Sequence, residues 1–395
     1  MVKQSRNKTG NYTYPNSVKL IKGGRDYFDT LLHIIQSAQH IIHLQTYIYE
    51  NDETGTLIGN ALKEATSRGV AVYMVIDGYA SQSLDNKFVT DLCAAGIRFK
   101  FFEPLFKSSN FYFGRRLHHK LIVADDRYSL VGGINISNRY NDMDGEKAWL
   151  DFAVLMEGPV SQELAVLCCK TWNGFLKSNK KYKPVPHNFN FATGENALAK
   201  VRMRRNDWVK NKNQISKSYL EMFRSAKNEI VILCAYFIPG NAIRRSMVQA
   251  VKRGVKIKVI MTGMSDVNIA KNAERFMYAW LLRHKIEIYE YQKNILHGKV
   301  AVSDQQFVTM GSFNINDISA FASIELNVDI QNELYGKIVY KTLNHIMQHE
   351  CIQLDNANYI ANLNPVRKFI SWISYQFVRF VFYLFTFYFR QEKRA

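Results

Sequence analysis

Hydrophobic and polar positions follow two different periods through the first hundred residues of the chain. They predict a short strand, a turn at Gly23–Gly24, a helix with Phe28, Leu31 and Ile35 on one face, and then a second strand. The helix LIGNALKEATSRG, the apolar strand VAVYMVIDG, a helix at about 86–95 and the strand IRFKFF follow. This alternation predicts an α/β fold.

The same order of elements returns in the second half of the chain. The segment SAKNEIVILCAYFI matches SAQHIIHLQTYIY, and RGVKIKVIMTG matches RGVAVYMVIDG. A repeated fold with pseudo-twofold symmetry follows, and a site is expected where the halves meet. The predicted divisions are a flexible N-terminus at 1–17, a first half at 18–178, a linker at 179–200, a second half at 201–355 and a C-terminal helix at 356–395.

One polar motif is written twice within this repeat. The segments LHHKLIVADDRYSLVGGIN and LHGKVAVSDQQFVTMGSFN keep the same spacing of His, Lys, Asp, Gly and Asn through different apolar residues. The corresponding positions are His118, Lys120, Asp125, Gly132, Gly133 and Asn135 in the first copy, and His297, Lys299, Asp304, Gly311, Ser312 and Asn314 in the second.

Strand geometry assigns roles to these residues. Side chains alternate between the faces of a strand, so the His and Lys of each copy share a face, whereas the Asp does not. We therefore interpret Asp125 and Asp304 as residues that hold a turn, and the following Gly pair as a tight bend close to a ligand. Two facing copies would form a cage of imidazole, ammonium and amide groups suited to a phosphate. One His could attack phosphorus while the other protonates the leaving alkoxide.

Other interpretations of the motif are weaker. A single His beside a Lys is usually a surface or core residue, but two copies in register with Asp, Gly and Asn are not explained in that way. A zinc site lacks its usual spacing, because the five cysteines, at positions 93, 168, 169, 234 and 351, form no CxxC pair. The proposed chemistry requires no metal and no other cofactor.

The doubled pattern H-x-K-x4-D-x6-G-[GS]-x-N resembles the phospholipase D superfamily, and within it the chain is similar to bacterial cardiolipin synthases. The resemblance runs from about Val18 to about Ile346 and includes IIHLQTYIYENDETG and VILCAYFIPG. It implies two pseudo-symmetric α-β-α sandwich halves. It also implies transfer of a phosphatidyl group between two phosphatidylglycerol molecules, which yields cardiolipin and glycerol through a phosphatidyl-histidine.

The resemblance also implies roles for individual residues. His118 would be the nucleophile and His297 the acid and base, although the near-symmetry of the motifs leaves this order open. The phosphate oxygens would be held by Lys120, Lys299, Asn135 and Asn314, next to Gly133 and Ser312. The alternatives are a phospholipase D hydrolase that uses water, a nuclease of the same superfamily, and a non-catalytic binder of anionic lipid.

An acidic residue is expected to orient each His. The resemblance points to Asp151 and Glu325, which begin similar strands. Glu325 lies 28 residues after His297, whereas Asp151 lies 33 after His118. Glu146 keeps the spacing of 28 and is therefore a rival, although the strand context favours Asp151.

Aromatic and basic residues precede the first motif. The segment EPLFKSSNFYFGRRL predicts either a loop that covers the core or a lip at the site, on which Arg115 and Arg116 steer phosphate.

Charge and the C-terminal segment point to a membrane surface. The net charge of +18 and a pI near 9.5 favour an anionic partner, either lipid or nucleic acid. The segment Phe369–Phe389 is almost wholly apolar and aromatic, but Arg379 near its centre favours a helix in the interface over a span. The alternative is a helix docked on the protein or at a homodimer contact.

Location follows from the same features. The first residues carry no signal peptide or span, and the cysteine pattern favours a reducing compartment. We expect a protein on the cytoplasmic face of a bacterial inner membrane, peripheral or held by its C-terminus, with phosphatidylglycerol as partner and no nucleic acid.

Overall fold

The computed structural model describes residues 11–103, 115–174, 184, 187, 189, 197–207, 210–316, 319–320, 323–355, 359 and 364–391, with the side chains of 197 and 382–391 excepted. The first half contains β1 (Thr13–Lys22), α1 (Arg25–Ser37), β2 (Ile41–Thr46), α2 (Glu53–Ser67), β3 (Ala71–Asp77), α3 (Asn86–Ala94), β4 (Arg98–Phe102), β5 (Arg116–Leu117), β6 (Leu121–Ala124), β7 (Tyr128–Gly132), β8 (Phe152–Glu157) and α4 (Pro159–Trp172). The second half contains β9 (Ala197–Asp207), β10 (Lys212–Asn213), α5 (Gln214–Ser225), β11 (Glu229–Cys234), α6 (Asn241–Lys252), β12 (Lys256–Thr262), α7 (Asn268–Arg283), β13 (Glu287–Tyr291), β14 (Lys299–Ser303), β15 (Phe307–Gly311), β16 (Ser323–Gln331), α8 (Glu333–His349), β17 (Cys351–Leu354) and the C-terminal α9 (Pro365–Gln391).

The two halves have the same strand order and are joined by pairing between their strands. The first half pairs β4-β3-β2-β6-β7-β8-β1, with β2, β3 and β4 parallel and the remaining pairs antiparallel. The second half repeats this order as β13-β12-β11-β14-β15-β16-β9, and β17 is added outside β13. Strands β1 and β9 pair antiparallel and join the halves. The duplicated two-half α/β fold predicted from the sequence is confirmed.

The largest apolar core belongs to both halves. It contains Leu164 of α4 and Leu343 of α8, together with residues from the strands of either half such as Val154 and Val328. The opposite faces of the strands are covered separately, by α1–α3 in the first half and by α5–α7 in the second. Because burial of apolar surface is the dominant favourable term in folding, the shared core fixes the halves against each other.

The N-terminal strand begins earlier than the sequence indicates. Strand β1 starts at Thr13, inside the segment that we expected to be flexible up to residue 17. The polar residue Asn16 is buried there, because its amide donates to the Ala199 carbonyl and its oxygen accepts from the Val160 N–H. Hydrogen bonds to strand β9 and to the first turn of α4 therefore satisfy a residue that is typical of loops in a sequence. The other predicted boundaries stay predictions, and most of the predicted linker at 179–200 lies outside the described residues.

Both motif strands begin at the same kind of position in the sheet. Strand β6 runs antiparallel to β2, and its first residue, Leu121, pairs with Gln45 near the carboxyl end of β2. Likewise Lys299, the first residue of β14, pairs with Cys234 at the carboxyl end of β11. Ligands of open α/β sheets bind beyond the carboxyl ends of the parallel strands, so both His-Lys pairs lie on the side where a site is expected.

The C-terminal helix α9 begins at Pro365. The Asn364 side chain accepts a hydrogen bond from the Val366 N–H, and Pro365 occupies the first helical position, where its missing N–H costs nothing. Helix α9 packs along α7, with Tyr375 against Met277 and Phe276. Across the described residues, no helix combines the length and the apolar character that crossing a bilayer requires.

Candidate active site

Two identical turns fix the motifs at their Asp residues. The Asp125 carboxylate accepts hydrogen bonds from the backbone N–H groups of residues 39–41, and that of Asp304 accepts from residues 227–229, at 2.8–3.0 Å. Both residues adopt positive φ, 50° and 48°, a region that Asp tolerates better than most residues. The two Asp residues therefore hold turns, as the strand geometry indicated, and do not face the reacting groups.

Each motif histidine is oriented by a carboxylate of the opposite half. Nδ1 of His118 lies 2.9 Å from an oxygen of Glu325, and Nδ1 of His297 lies 2.7 Å from an oxygen of Asp151. A carboxylate accepts and does not donate, so Nδ1 carries the proton in both rings and Nε2 is left as the reactive nitrogen. Neither half alone contains a complete pair.

Sequence spacing could not reveal this exchange. Spacing relates each acidic residue to the His of its own half, whereas the structure pairs Asp151 with His297 and Glu325 with His118. The different spacings, 33 and 28 residues, are therefore no objection to either acid. The rival Glu146 is exposed in a turn with Met143 and contacts neither motif among the described residues.

Backbone contacts across the same boundary bring the histidines together. The His118 N–H donates to the Ile324 carbonyl, one residue from Glu325. The N–H of His297 donates to the Leu150 carbonyl, one residue from Asp151. Each histidine is thus hydrogen-bonded to the opposite half through its backbone N–H and through its ring.

The two carboxylates have different surroundings. Glu325 also accepts from the hydroxyls of Ser312 and Ser323. Burial raises its pKa, but His118, Lys120 and Ser312 together outweigh burial and leave the pKa below its usual value. Asp151 accepts from the Phe152 N–H at 2.7 Å, and its oxygens lie 2.6 Å from where a Cβ at Gly133 would stand. The absence of a side chain at Gly133 therefore leaves space for the Asp151 carboxylate. At the corresponding position of the second motif, Ser312 donates a hydrogen bond to the Glu325 carboxylate.

Two buried ammonium groups lie beside the rings. Lys120 and Lys299 are only 2% and 1% exposed, and each donates to the carbonyl of its own motif His. Burial lowers the pKa of both, although Glu325 and Asp151 oppose that shift. A cation held away from water gains most from a counter-ion, so these side chains are prepared to receive a phosphate.

Both imidazoles are neutral near pH 7. Burial lowers the pKa of His297 to about 4, Lys299 and Lys120 lower it further, and Asp151 opposes them. Burial likewise lowers the pKa of His118, where Glu325 opposes and Lys120 and Lys299 contribute to the decrease. Each ring is thus affected by the Lys of the other motif, which shows that the two motifs form one electrostatic site.

The two motif asparagines, which are predicted to bind the phosphate, have contacts within the protein. The Asn135 amide donates to the Tyr140 hydroxyl, and its oxygen accepts from the Ile48 N–H. The Asn314 oxygen lies 4.0 Å from the thiol of Cys234. The side-chain amide of Asn has two N–H groups, so a contact within the protein leaves at least one of them that could donate to a phosphate. Contact of either Asn with phosphate stays a prediction.

The two arginines before the first motif point to acids of the protein. Arg115 forms ion pairs with Glu103 and Asp207, and Arg116 donates to the Glu103 carbonyl and lies 3.7 Å from Asp77. Asp77 also accepts from the Leu117 N–H, so these contacts position the residues next to His118. Steering of phosphate by the arginines stays a prediction, and the aromatic part of the lip, at 104–114, lies outside the described residues.

Aromatic rings that the motif does not predict surround both histidines. Tyr47 packs edge-on against His118 at 4.7 Å and lies 5.0 Å from the Lys120 ammonium. Tyr140 and Trp149 lie 5.2 and 6.0 Å from the ring of His297. Tyr47 follows β2 directly, so its place at the carboxyl end of a parallel strand was a usable signal. Within the described ranges, no group of three His, Cys, Asp or Glu side chains is arranged to hold a metal ion.

The depressed pKa of His297 predicts a pH-dependent loss of stability. The unfolded ring takes up a proton near its ordinary pKa of 6.5, whereas the folded ring does so only near 4. Stability contributed by the neutral ring is complete above pH 6.5 and is lost as the pH falls towards 4, by about 3 kcal/mol in total. Urea unfolding of the His297→Gln variant should show a correspondingly shallower decline over this range. The exposed His33→Gln is the matched control, and an equal decline in all three proteins would contradict the assignment.

Comparison with known proteins identifies the family. The family model described as cardiolipin synthase, PLD-like domain matches residues 31–164 and 219–350, which are the two halves of the fold. The chain is 32% identical to cardiolipin synthase B of Salmonella typhimurium and of Escherichia coli K12, covering 87% of this chain and 83% of those proteins. It is 28% identical to a cardiolipin synthase of Clostridium perfringens, covering 84% of this chain and 70% of that one.

A solved structure shows the same fold at low sequence identity. Phosphatidylserine synthase of Haemophilus influenzae superposes with a TM-score of 0.71 at 13% identity, covering 94% of this chain and 95% of that one. The likeness extends over both halves, as expected for a duplicated phospholipase D fold. With a family model that matches more than half of its residues, the chain belongs to the cardiolipin synthase family of phospholipase D-like proteins.

Proposed function

We propose that this protein is a phosphatidyltransferase that joins two phosphatidylglycerol molecules into cardiolipin and releases glycerol. One observation carries the proposal: two neutral imidazoles, each oriented by a carboxylate of the opposite half, share a site with two buried lysines. Membership of the cardiolipin synthase family supports the choice of substrate.

In the first step, Nε2 of His118 attacks the phosphorus of one phosphatidylglycerol. The bond from phosphorus to the glycerol headgroup breaks, and His297 gives its Nε2 proton to the departing oxygen, so free glycerol leaves. His297 is neutral in the empty site, but the bound phosphodiester brings a negative charge that favours its protonated form. The phosphatidyl group remains on Nε2 of His118.

In the second step, the neutral His297 takes a proton from the headgroup hydroxyl of a second phosphatidylglycerol. That oxygen attacks phosphorus, the phosphorus–nitrogen bond breaks, and His118 returns to its starting form. Lys120 and Lys299 neutralise charge on the phosphoryl oxygens in both transition states. The same protons and atoms are exchanged in reverse order, so the enzyme is regenerated unchanged.

The surroundings of Glu325 support His118 as the nucleophile. A phosphorylated imidazole that keeps its Nδ1 proton is a cation, so the residue behind it must be a firmly ionised carboxylate. Glu325 has a lowered pKa and accepts from two serine hydroxyls as well as from His118. These extra donors hold its negative charge in place while the cation forms.

Two other activities remain as alternatives that experiment separates. A phospholipase D hydrolase would use water in the second step and give phosphatidic acid. A nuclease of the same superfamily would place a nucleic acid phosphodiester in the same cage. The apolar exposed face of α9 favours lipid over nucleic acid.

We also propose that α9 lies on the cytoplasmic face of a bacterial inner membrane. Its docked side carries Ser371, Ser374 and Tyr375, whereas its outer side exposes large rings such as Phe369 and Phe380, which are 59% and 57% exposed. A helix of a water-facing surface would be arranged the other way round. The net charge of +18 adds attraction to an anionic leaflet.

Loss of either catalytic imidazole should abolish turnover. His118→Ala and His297→Ala are each expected to lower cardiolipin formation from phosphatidylglycerol vesicles by a factor of about 10³ or more, while the thermal unfolding midpoint stays measurable. Mass spectrometry of the lipids would distinguish cardiolipin from phosphatidic acid, and substantial residual activity in both variants would contradict the scheme.

The intermediate can be located directly. Wild-type enzyme mixed with phosphatidylglycerol and quenched in alkaline denaturant should carry a phosphatidyl group on the peptide that contains His118, because a phosphorus–nitrogen bond survives alkali better than acid. Fragment ions distinguish His118 from the adjacent His119. A phosphatidyl group on His297 would reverse the two roles.

The orienting carboxylates should affect rate more than binding. Asp151→Asn and Glu325→Gln are expected to lower kcat by a factor of about 10²–10⁴ with little change in KM, because the neutral amide no longer stabilises a charged imidazole. Glu146→Gln is the matched control and should retain wild-type kcat. A large loss at Glu146, or none at Asp151, would contradict the assignment of the orienting acids.

The exposed face of α9 should control vesicle binding. Phe369→Ser combined with Phe377→Ser is expected to weaken binding to phosphatidylglycerol vesicles by about tenfold or more, because about half of each ring loses its apolar environment. Leu334→Ser combined with Ile338→Ser, on the exposed face of α8, is the matched control. Equal binding of both double variants in a sedimentation assay would contradict this placement of α9.

A further inference from the structure

A basic groove lies between α6 and the end of α7, outside the catalytic site. It has a volume of about 340 Å³, and its polar walls include Asn241, Arg244, Arg245 and His284. Its apolar wall includes Trp280. None of the motif residues, their carboxylates or the surrounding aromatic rings lines it, so the mechanism proposed above makes no use of it.

The half-buried Arg244 and the exposed Arg245 of this groove differ from two more deeply buried arginines of the same half, Arg202 and Arg204. Arg202 and Arg204 are neutralised by Asp329 and Glu221. Among the described residues, by contrast, neither Arg244 nor Arg245 forms an ion pair, and the lining of the groove includes no carboxylate. Two positive charges on one groove wall, with no carboxylate in its lining, make the groove electrostatically complementary to an anion.

The side chain of Arg244 is held in a fixed orientation in the groove. The guanidinium of Arg244 lies 5.6 Å from the centre of the Trp280 ring and donates to the side-chain oxygen of Asn241. The other N–H groups of a guanidinium held beside the ring in this way have the geometry to match two oxygens of a phosphate. Asn241 also begins α6, a helix of 12 residues whose N-terminal dipole favours an anion.

The position of Trp280 decides which anion fits. Its ring is one wall of the groove, and it also packs against the cluster in which Ile238, Met277 and Tyr375 of α9 meet. The groove therefore adjoins the helix whose outer side exposes rings such as Phe377. A phosphate site next to an exposed apolar surface has the chemistry of a phospholipid at a bilayer surface, with its headgroup beside buried chains.

We propose that this groove binds the headgroup phosphate of an anionic bilayer phospholipid that is not the substrate in the reacting site. The bound lipid joins α6 and α7 to the membrane next to α9, and so helps to hold the catalytic cage against the surface that supplies its substrate. The proposal rests on the membrane placement of α9 proposed above. The groove would make membrane binding selective for anionic lipid, whereas the apolar rings of α9 bind neutral and anionic bilayers alike.

The test compares a groove variant with a variant of equal charge change. Arg244→Gln combined with Arg245→Gln removes both groove cations, and Arg25→Gln combined with Arg224→Gln removes two exposed arginines elsewhere. Full-length proteins are sedimented with vesicles of phosphatidylcholine alone or with one third phosphatidylglycerol. The groove variant should bind the mixed vesicles about tenfold more weakly than wild type, with phosphatidylcholine binding and kcat on dispersed short-chain phosphatidylglycerol unchanged.

Two results would overturn the proposal. The first is an equal loss in the control variant, which would mean general charge attraction. The second is wild-type binding of the mixed vesicles by the groove variant.

Further variants separate this proposal from the one on which it rests. Arg244→Lys keeps the charge and loses the planar fork, so it should show an intermediate loss even if the double variant folds poorly. The α9 variant Phe369→Ser with Phe377→Ser should lose binding to both kinds of vesicle. If it does not, the membrane placement of α9 fails, whereas selective loss in the groove variant would still identify a lipid site.

Discussion

The whole site depends on two hydrogen bonds in which a carboxylate of one half orients the histidine of the other half. Asp151 orients the histidine of the second half, and Glu325 orients the histidine of the first. Each pair needs atoms placed to within a few tenths of an ångström, although its members come from separate sandwich units. The shared core and the β1–β9 pairing supply that precision, because they leave the halves a single way to dock. Docking of the halves and assembly of the catalytic groups are therefore one event.

Burial gives the site its chemistry. The two lysines are almost inaccessible, and their charges are only partly balanced by the carboxylates behind the imidazoles. Such a site stabilises an anion more strongly than a water-filled cleft would, because field strength rises as the local dielectric falls. The same burial keeps both imidazoles neutral until a phosphodiester enters. Substrate binding thus prepares the acid that the first step needs.

Much of this arrangement could be predicted from the sequence, because the motif is governed by local rules. As the alternation of side chains along an extended segment predicts, His118 and Lys120 lie beside the same ring, that of Tyr47, although both precede β6. Asp125 lies in the turn after β6, which it holds. The exchanged acids could not be predicted, because spacing within a chain carries no information about which half a side chain will reach. The ion pairs of Arg115 and the burial of Asn16 were missed for a related reason. Their partners, Asp207 and Ala199, lie in distant segments.

The symmetry of the fold does not extend to the chemistry of its two histidines. Glu325 is one methylene longer than Asp151, and it is held by two serine hydroxyls, one of them from Ser312 at the position of Gly133. A side chain at Gly133 would collide with the Asp151 carboxylate, so the glycine and the shorter acid belong together, as do the serine and the longer acid. The two halves have therefore diverged in matched pairs. The carboxylate behind His118 is fixed by more donors, which suits an imidazole that carries a covalent, cationic intermediate. The carboxylate behind His297 has fewer donors, which suits an imidazole that is reversibly protonated.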